Sequence, residues 1–276
     1  MSYADQVFIH TCRDILSNGF WDTDLPVRPR WADGTPAHTV KIFGVVNRYD
    51  LRREFPIMTL RRTAFKNCVD ELLWIWQKKS NDIRQLGSHV WDAWADERGT
   101  IGKAYGYQLG IKHRYGDGWF DQVDRVLKDL RENPASRRMV TSLFNHHDLS
   151  EMGLYPCAWS MTFNVTGSTL NAVLNQRSQD MLTASNWNVC QYAVLVHMMA
   201  RSAGLEAGEL VHVIADCHIY DRHVPLVEEL LRREPRPAPR LAVDPAVTDF
   251  YAFTADSFRL EGYEPWSFAE KIEVAL

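Results

Sequence analysis

The feature that most limits the fold is a run of alternating side chains followed by a turn and a second run. From residue 159 to residue 165, apolar side chains alternate with polar ones, which is the period of a β-strand with one buried face. Thr166-Gly167-Ser168 has the composition of a turn, and residues 169 to 174 form a second β-rich run. The sequence therefore predicts a hairpin centred near Gly167.

This hairpin would bring a cysteine next to an arginine. If paired residue numbers sum to about 334, Cys157 lies near Arg177, whereas a register shift of one residue would place the two side chains on opposite faces. A thiol is mostly protonated at neutral pH, and a neighbouring guanidinium favours the thiolate. Most buried thiols are inert packing residues. The nearby arginine makes a nucleophile the favoured interpretation of Cys157.

Helical and strand-like patterns are interleaved along the rest of the chain, which predicts a mixed α/β (α+β) fold. The Pro-rich stretch at 234–239 is too short to separate domains, and there is no internal repeat. We therefore expect a single domain over residues 1–276. The predicted helices cover residues 4–16, 63–76, 119–130 and about 189–203, and the predicted strands outside the hairpin cover 39–46, 139–144 and 211–215.

Composition excludes several classes of function. With 31 basic and 35 acidic residues the net charge is −4, so no global field recruits nucleic acid or a membrane. The N-terminus lacks the features of a signal peptide, and no apolar run is long enough to span a bilayer, so we expect a cytoplasmic protein. Five cysteines without CxxC spacing favour reduced thiols over disulfides or a zinc site, and we expect no metal.

Arginines in turn-rich segments indicate an anion site. Such arginines occur at Arg28 and Arg30, at Arg137-Arg138 and at Arg177, which is followed by the hydroxyl of Ser178. Guanidinium groups bind phosphate oxygens bidentately, so these residues together predict a phosphorylated small molecule near Cys157.

A second group of polar side chains ends a β-rich run. His218 and Tyr220 are separated by one residue and share a side if the strand continues. They could hold a sugar hydroxyl, and a histidine and tyrosine satisfied within the core is an equally good interpretation from spacing alone.

Eight ordered motifs resemble thymidylate synthase over nearly the whole chain. They are Asp70-Glu71-Leu72-Leu73-Trp74, His89-Val90-Trp91-Asp92, Ala104-Tyr105-Gly106-Tyr107-Gln108, Ser136-Arg137-Arg138, Pro156-Cys157, Gln176-Arg177-Ser178-Gln179-Asp180, Asn188 with Tyr192, and Asp216-Cys217-His218-Ile219-Tyr220. The resemblance implies a single-domain fold with a large mixed β-sheet packed by helices. It also implies that Cys157 adds to carbon 6 of dUMP, which is then methylated to dTMP by 5,10-methylenetetrahydrofolate.

The resemblance also implies a role for each residue that matches the family pattern. Arg177, Ser178 and Arg28 would bind the phosphate together with Arg137 and Arg138 of the partner in a homodimer, although Arg30 competes with Arg28 for this role. The remaining roles are Asn188 at the uracil, Gln176 in substrate binding, His218 and Tyr220 at the sugar 3′-hydroxyl, Glu71 and Tyr105 in proton transfer, Asp180 at the pterin, Trp91 against the folate, and Ala275 in a closing C-terminus.

The chain departs from the family pattern near the expected pyrimidine site. Ala184 stands where many members have Gly and Asn186 where they have Pro. Further departures are Ala158 for His, Ala215 for Gly, Phe144 for Trp, and Gly153 with Tyr155 beside the nucleophile.

These changes keep two alternatives open. One is a related folate-dependent hydroxymethylase acting on dUMP, dCMP or CMP, and the other is a nucleotide- or RNA-binding regulator without turnover. Asn188 favours uracil, because deoxycytidylate hydroxymethylases of the superfamily place an acidic residue there. The intact set of Cys157, Arg177, Glu71, Asn188 and Tyr105 favours an enzyme.

Overall fold

The structure is a computed structural model that describes residues 1–270 and 272–276. The helices are α1 (Tyr3–Asn18), α2 (Phe65–Trp76), α3 (Gly106–Gly110), α4 (Gln122–Glu132), α5 (Ser185–Ser202) and α6 (Val224–Leu231). The strands are β1 (Phe20–Trp21), β2 (Thr39–Asp50), β3 (His113–Tyr115), β4 (Gly118–Phe120), β5 (Val140–Ser142), β6 (Ala158–Thr166), β7 (Thr169–Asp180), β8 (Glu206–Tyr220), β9 (Arg240–Val243) and β10 (Phe258–Glu261).

A large mixed sheet organises the fold, as the resemblance implies. Among the described residues, six strands join in the order β1-β2-β8-β7-β6-β5. The β7–β8 pair is parallel and the other pairs are antiparallel. The parallel pair is possible because α5 crosses between its two strands. Hence the C-terminal ends of β7 and β8, which carry Asp180 and Tyr220, lie side by side at the same end of the sheet.

The turn of the predicted hairpin is present at Gly167 and Ser168. Gly167 has a φ of 63°, which is the left-handed region that a tight two-residue turn requires at its first central position. Thr166 pairs with Thr169 and Ser160 with Asn175, so most pairs sum to 335, one more than the predicted sum of about 334.

An irregularity at the end of the hairpin corrects the register at the cysteine. Between Ser160 and Ala158 the pairing shifts, and Ala158 faces Gln176. The backbone N–H of Arg177 then donates to the carbonyl oxygen of Cys157 at 2.9 Å. The predicted proximity of Cys157 and Arg177 is therefore confirmed, and a β-bulge is what produces it.

The core lies between one face of the sheet and the helices α2 and α5. Alternate residues of β7 and β8 are buried on that face, and α5 is buried almost all round. The largest buried side chains include Trp74 and Trp76 of α2. On the opposite face, Phe43 of β2 is 89% exposed and Val46 is 57% exposed. The sheet thus has one face covered by this chain and one face with exposed apolar side chains.

Several predicted boundaries are wrong for local reasons. Residues 119 and 120 belong to β4, because Asp121 caps α4 by accepting the backbone N–H of Asp124. α5 begins at Ser185 and not near Val189. β2 and β8 are longer than predicted, since each pairs along its length with a long neighbour.

No helix within the described residues is long and apolar enough to cross a membrane. In the same part of the chain, no group of three or more His, Cys, Asp or Glu side chains is arranged to hold a metal ion.

Candidate active site

A cavity of about 610 Å³ opens between α2, α5, the start of β6 and the C-terminal residues. Its size lies within the range of small-molecule sites. The lining residues include side chains from predicted motifs and from segments that no motif covered: Arg61, Arg62, Glu71, Trp91, Trp94, Tyr105, Cys157, Ala158, Ala184, Trp187, Asn188, Gln191, Tyr192, Val274 and Leu276.

Cys157 lies in this cavity directly before β6. Its Sγ is 3.6 Å from Nη2 of Arg177, while its backbone N–H donates to Oη of Tyr105 at 3.2 Å. Burial raises the pKa of the Cys157 thiol, and the charge of Arg177 lowers it. The arginine acts in the direction that the sequence predicts, and burial has the larger effect on this pKa.

Arg177 is held in place by the backbone around the cysteine. Its Nε donates to the carbonyl oxygen of Pro156 at 3.1 Å, and its Nη2 donates to that of Tyr155 at 2.7 Å. Two fixed carbonyl groups therefore orient the guanidinium beside the sulfur. Within the described residues, Nη1 of Arg177 has no hydrogen-bond partner, so one edge of the fork faces away from these anchors.

Glu71 supplies a buried carboxyl on α2. Its residue is 6% exposed, and Oε2 accepts the indole N–H of Trp187 at 2.8 Å. Burial raises the pKa of Glu71 to about 7, although the hydrogen bond from Trp187 lowers it. A carboxyl with this pKa exchanges its proton near neutral pH, as a general acid or base requires.

Tyr105 occupies a strained backbone position directly before α3. Its φ of 46° is unusual for an aromatic residue, and its ring packs edge-on against Trp91 at 5.0 Å between centroids. The next position accepts only glycine, because a Cβ on Gly106 would lie 2.3 Å from the carbonyl oxygen of Ser80. The strain places the tyrosine hydroxyl at Cys157. Trp91 is buried and forms an aromatic wall of the cavity.

Asn188 projects from α5 into the cavity between two glutamines. Its Oδ1 accepts from Nε2 of Gln176 at 3.3 Å, and its Nδ2 donates to Oε1 of Gln191 at 3.3 Å. Gln176 itself is 2% exposed and lies on the buried face of β7. Both amide ends of Asn188 are thus oriented by neighbouring side chains.

Asp180 ends β7 and organises the turn that leads to α5. Its carboxylate accepts the backbone N–H of Leu182 at 2.8 Å and the hydroxyl of Thr183 at 2.5 Å. Burial raises the pKa of Asp180, but the charges of His223 and His218, together with the hydrogen bonds, lower it to about 2. The residue is therefore a carboxylate at neutral pH.

His218 and Tyr220 share one side of β8 at its C-terminal end, as the sequence predicts. Their rings are 5.1 Å apart, and Nδ1 of His218 lies 2.7 Å from Oδ1 of Asp216. Burial raises the pKa of Tyr220 to about 12, while the nearby charge of Arg28 lowers it. The charge of Arg28, one of the two candidate arginines in this segment, therefore reaches the His218 and Tyr220 end of the site.

Arg30 has a different contact. Its backbone N–H donates to the carbonyl oxygen of Leu276 at 2.8 Å, and the N–H of Leu276 donates back at 3.0 Å. This pair holds the C-terminus, including Ala275, beside the cavity that Val274 and Leu276 line.

Arg137 and Arg138 are exposed between α4 and β5, and neither lines the cavity. Ser178 is half-buried on β7, and its carbonyl oxygen accepts from Nε2 of Gln176 at 3.0 Å.

The departures at the start of α5 do not all face the cavity. Ala184 lines it, whereas Asn186 is buried on the other side. Oδ1 of Asn186 accepts the backbone N–H of Met58 at 2.7 Å, and its Nδ2 donates to the carbonyl oxygen of Pro56 at 3.1 Å. The expectation that all changed residues surround the pyrimidine is therefore wrong for Asn186, which ties α5 to the chain before α2.

Sequence reasoning missed Trp187, Gln191, Arg61 and Arg62 as cavity residues. Trp187 and Gln191 are four residues apart, and Asn188 and Gln191 are three apart, so they share one helical face. Polar side chains at that spacing in an otherwise apolar helix are the signal that could have identified this face.

Comparisons with known proteins agree along the whole chain. The sequence profile described as thymidylate synthase matches residues 6–276. A thymidylate synthase of Bacillus phage phi3T is 44% identical over 269 residues, or 96% of each chain. Thymidylate synthase 1 of Bacillus subtilis (strain 168) is 43% identical with the same coverage. The solved structure of thermostable thymidylate synthase A from Bacillus subtilis covers 100% of both chains at 41% identity, with a TM-score of 0.94.

Proposed function

The chain belongs to the thymidylate synthase family, and we propose that the cavity around Cys157 is where it methylates dUMP to dTMP. The protein is a methyltransferase whose co-substrate is 5,10-methylenetetrahydrofolate, and the reaction needs no metal. The observation that supports this location best is the 3.6 Å contact between Sγ of Cys157 and Nη2 of Arg177, in the same cavity as a carboxyl with a pKa near 7.

In the proposed reaction, Cys157 is the nucleophile. After the thiol has lost its proton, Sγ forms a bond to carbon 6 of the uracil ring as the electron pair of the ring double bond moves toward carbon 5. Carbon 5 gives up its proton when it takes the one-carbon unit, and the bond from carbon 6 to Sγ breaks when the methyl group is complete. Because burial raises the pKa of the thiol, Arg177 is needed to stabilise the negative charge while the sulfur attacks. When bound, the folate supplies the one-carbon unit and the hydride that complete the methyl group.

Glu71 and Tyr105 are the proposed proton-handling residues. Glu71 can release or accept a proton near neutral pH, and Trp187 holds its carboxyl toward the cavity. The aromatic walls formed by Trp91 and Trp94 fit a flat pterin ring, while Asp180 is a carboxylate near the start of α5 that could meet its amino group. Val274, Ala275 and Leu276 would limit water access from the C-terminal side.

The nucleotide would lie along the edge where β7 and β8 end. We propose that Asn188 and Gln176 hold the uracil and that His218 and Tyr220 hold the sugar. Arg177, Ser178 and Arg28 would bind the phosphate, and the free edge of the Arg177 guanidinium suits a phosphate oxygen.

We further propose a homodimer in which Arg137 and Arg138 reach the phosphate in the partner's site. Both side chains are exposed, and neither forms a side-chain hydrogen bond or ion pair within the described residues. The exposed Phe43 and Val46 on the open face of the sheet give the two copies an apolar surface to pair.

Subunit mixing tests this arrangement. The Cys157→Ala and Arg138→Ala variants are purified separately and then exchanged into mixed dimers. A mixed dimer would hold one complete site, so random pairing should recover about a quarter of the parent activity. No recovery above the two separate variants would show that Arg138 acts within its own chain or not at all.

The remaining proposals concern the whole chain. Residues 1–276 would form a single catalytic domain that acts in the cytoplasm, where its five free cysteines stay reduced. The hydroxymethylase alternative is not favoured, because the relatives described above are thymidylate synthases over the full length.

Product analysis tests the proposed function. The protein is incubated with 5,10-methylenetetrahydrofolate and, in turn, dUMP, dCMP or CMP, and the products are identified by mass. The proposal requires dTMP and dihydrofolate from dUMP, and a hydroxymethyl nucleotide would refute it. The Cys157→Ala variant should form neither product.

A further inference from the structure

A line of hydrogen bonds connects a buried histidine of β8 to Asn188. His212 is 1% exposed, and its Nε2 lies 2.8 Å from Oε1 of Gln176. Nε2 of Gln176 lies 3.0 Å from the carbonyl oxygen of Ser178 and 3.3 Å from Oδ1 of Asn188. The three side chains thus form one continuous contact between the sheet and α5.

The carbonyl oxygen of Ser178 fixes the direction of this line. A carbonyl oxygen only accepts, so the end of the Gln176 amide that faces Ser178 must be the NH₂ group. The other end, which faces His212, is then the oxygen, and His212 must donate from Nε2. Burial lowers the pKa of His212 to about 3, and its Nδ1 has no partner among the described residues. His212 is therefore neutral, with its hydrogen on Nε2.

A second backbone carbonyl fixes Asn188 from the other side. Nε2 of Gln191 lies 3.5 Å from the carbonyl oxygen of Cys68, so Oε1 of Gln191 faces Nδ2 of Asn188. The oxygen of the Asn188 amide is consequently directed to one glutamine and its NH₂ group to the other. Reversing that amide would set donor against donor and acceptor against acceptor.

The orientation of this amide matters for base selection. The pairing edge of uracil presents a donor at N3 and an acceptor at O4, whereas cytosine presents an acceptor at N3 and a donor at N4. An asparagine amide matches uracil in one orientation and cytosine in the reversed one. Whatever holds the amide in one orientation therefore contributes to the choice between dUMP and dCMP.

We propose that His212 is a positioning residue for base selection, which acts through Gln176 to keep the Asn188 amide oriented for uracil. The inference rests on the proposed role of Asn188 at the base. His212 itself does not line the cavity. Within the described residues, Nε2 of His212 is the only side-chain donor to Oε1 of Gln176. Without this donor the buried oxygen has no partner, which favours rotation of the Gln176 amide.

The test compares His212→Phe with His212→Gln. Phenylalanine keeps an aromatic ring in the core but removes the donor, while glutamine carries an NH₂ group near the position of Nε2. We expect the ratio of kcat/KM for dUMP to that for dCMP to fall at least about tenfold in His212→Phe and to recover in His212→Gln. Where dCMP turnover is too slow to measure, the ratio of the two dissociation constants replaces it.

A histidine in α5 provides the control. Burial lowers the pKa of His197 to about 4, and its Nε2 has no partner among the described residues. His197→Phe should therefore leave the ratio unchanged. If His212→Phe does not fold, His212→Asn replaces it. Its polar side chain is one methylene shorter than glutamine and does not reach Oε1 of Gln176, so it should lose selectivity in the same way.

An unchanged ratio in the folded donor-free variants would overturn the inference, as would an equal loss of activity toward both nucleotides, because that pattern belongs to general loss of packing. Failure of the parent protein to convert dUMP would instead refute the proposed function. The ratio of nucleotide dissociation constants would still report on His212 in that case, so the two failures are distinguishable.

Discussion

Replacing Glu71 by glutamine should stabilise the fold at neutral and alkaline pH while it removes activity. Burial raises the pKa of this carboxyl from its ordinary 4.5 to about 7. The folded protein therefore keeps a proton that the unfolded chain has already released, and stability is lost as pH rises from about 4.5 to about 7. Glutamine carries no charge and can still accept the indole N–H of Trp187.

The size of the effect follows from the two pKa values. Each pKa step is worth about 1.4 kcal/mol, so ionising Glu71 in the fold costs about 3 kcal/mol at pH 8. Because the residue is almost fully buried, solvent screening reduces this cost little. The parent and Glu71→Gln should be compared by urea unfolding between pH 5 and pH 8.

The variant's advantage should be small near pH 5 and should grow to about 3 kcal/mol by pH 8. At the same time its kcat should fall by at least about a hundredfold, because the proton-handling group is gone. A stability difference that stays constant from pH 5 to pH 8 would refute the assigned ionisation.

Three further predictions concern neighbouring side chains. Asp180→Asn should lower the free energy of unfolding by about 2 kcal/mol at pH 7, because the pKa of the carboxylate is lowered to about 2. In unfolding curves, the difference in stability between parent and variant should vanish as pH falls from about 4 toward 2. A difference that persists at pH 2 would contradict that assignment. Asn186→Ala should cost about 2 kcal/mol in urea unfolding, since the N–H of Met58 loses its buried acceptor, and a cost below about 0.5 kcal/mol would show that water replaces it. Trp187→Phe removes a hydrogen bond that lowers the pKa of Glu71, so the corresponding limb of the kcat/KM profile should move to higher pH, and an unmoved limb would exclude Glu71 as its origin.

The sequence predicted the parts of the site that depend on local pattern. Alternation from 159 to 165 and a glycine turn were sufficient to place Cys157 next to Arg177, although most of the hairpin pairs with a sum of 335. The bulge at Trp159 returns the sum to 334 at the cysteine, and the sequence carries no distinct signal for it, since bulges depend on how neighbouring strands twist. The same two-residue spacing correctly placed His218 and Tyr220 on one side.

Features that depend on contacts between distant segments could not be predicted. The balance of burial against the Arg177 charge decides the pKa of Cys157, and burial is a property of the assembled fold. Asn186 was assigned to the pyrimidine region because it lies in the segment between Asp180 and Asn188 that departs from the family pattern. Asn186 lies two residues before Asn188 on α5, so its side chain leaves the helix in a different direction. Its amide instead forms hydrogen bonds with the backbone of Met58 and Pro56, in the chain before α2.

The covalent mechanism is tested most directly by whether dUMP becomes attached to Cys157 during turnover. The protein is mixed with dUMP and 5,10-methylenetetrahydrofolate, quenched with acid within one turnover, and its intact mass and peptides are measured. We expect a transient species heavier by the nucleotide, located on the peptide that contains Cys157 and missing from Cys157→Ala. Normal dTMP formation by Cys157→Ala, or attachment at another cysteine, would contradict it.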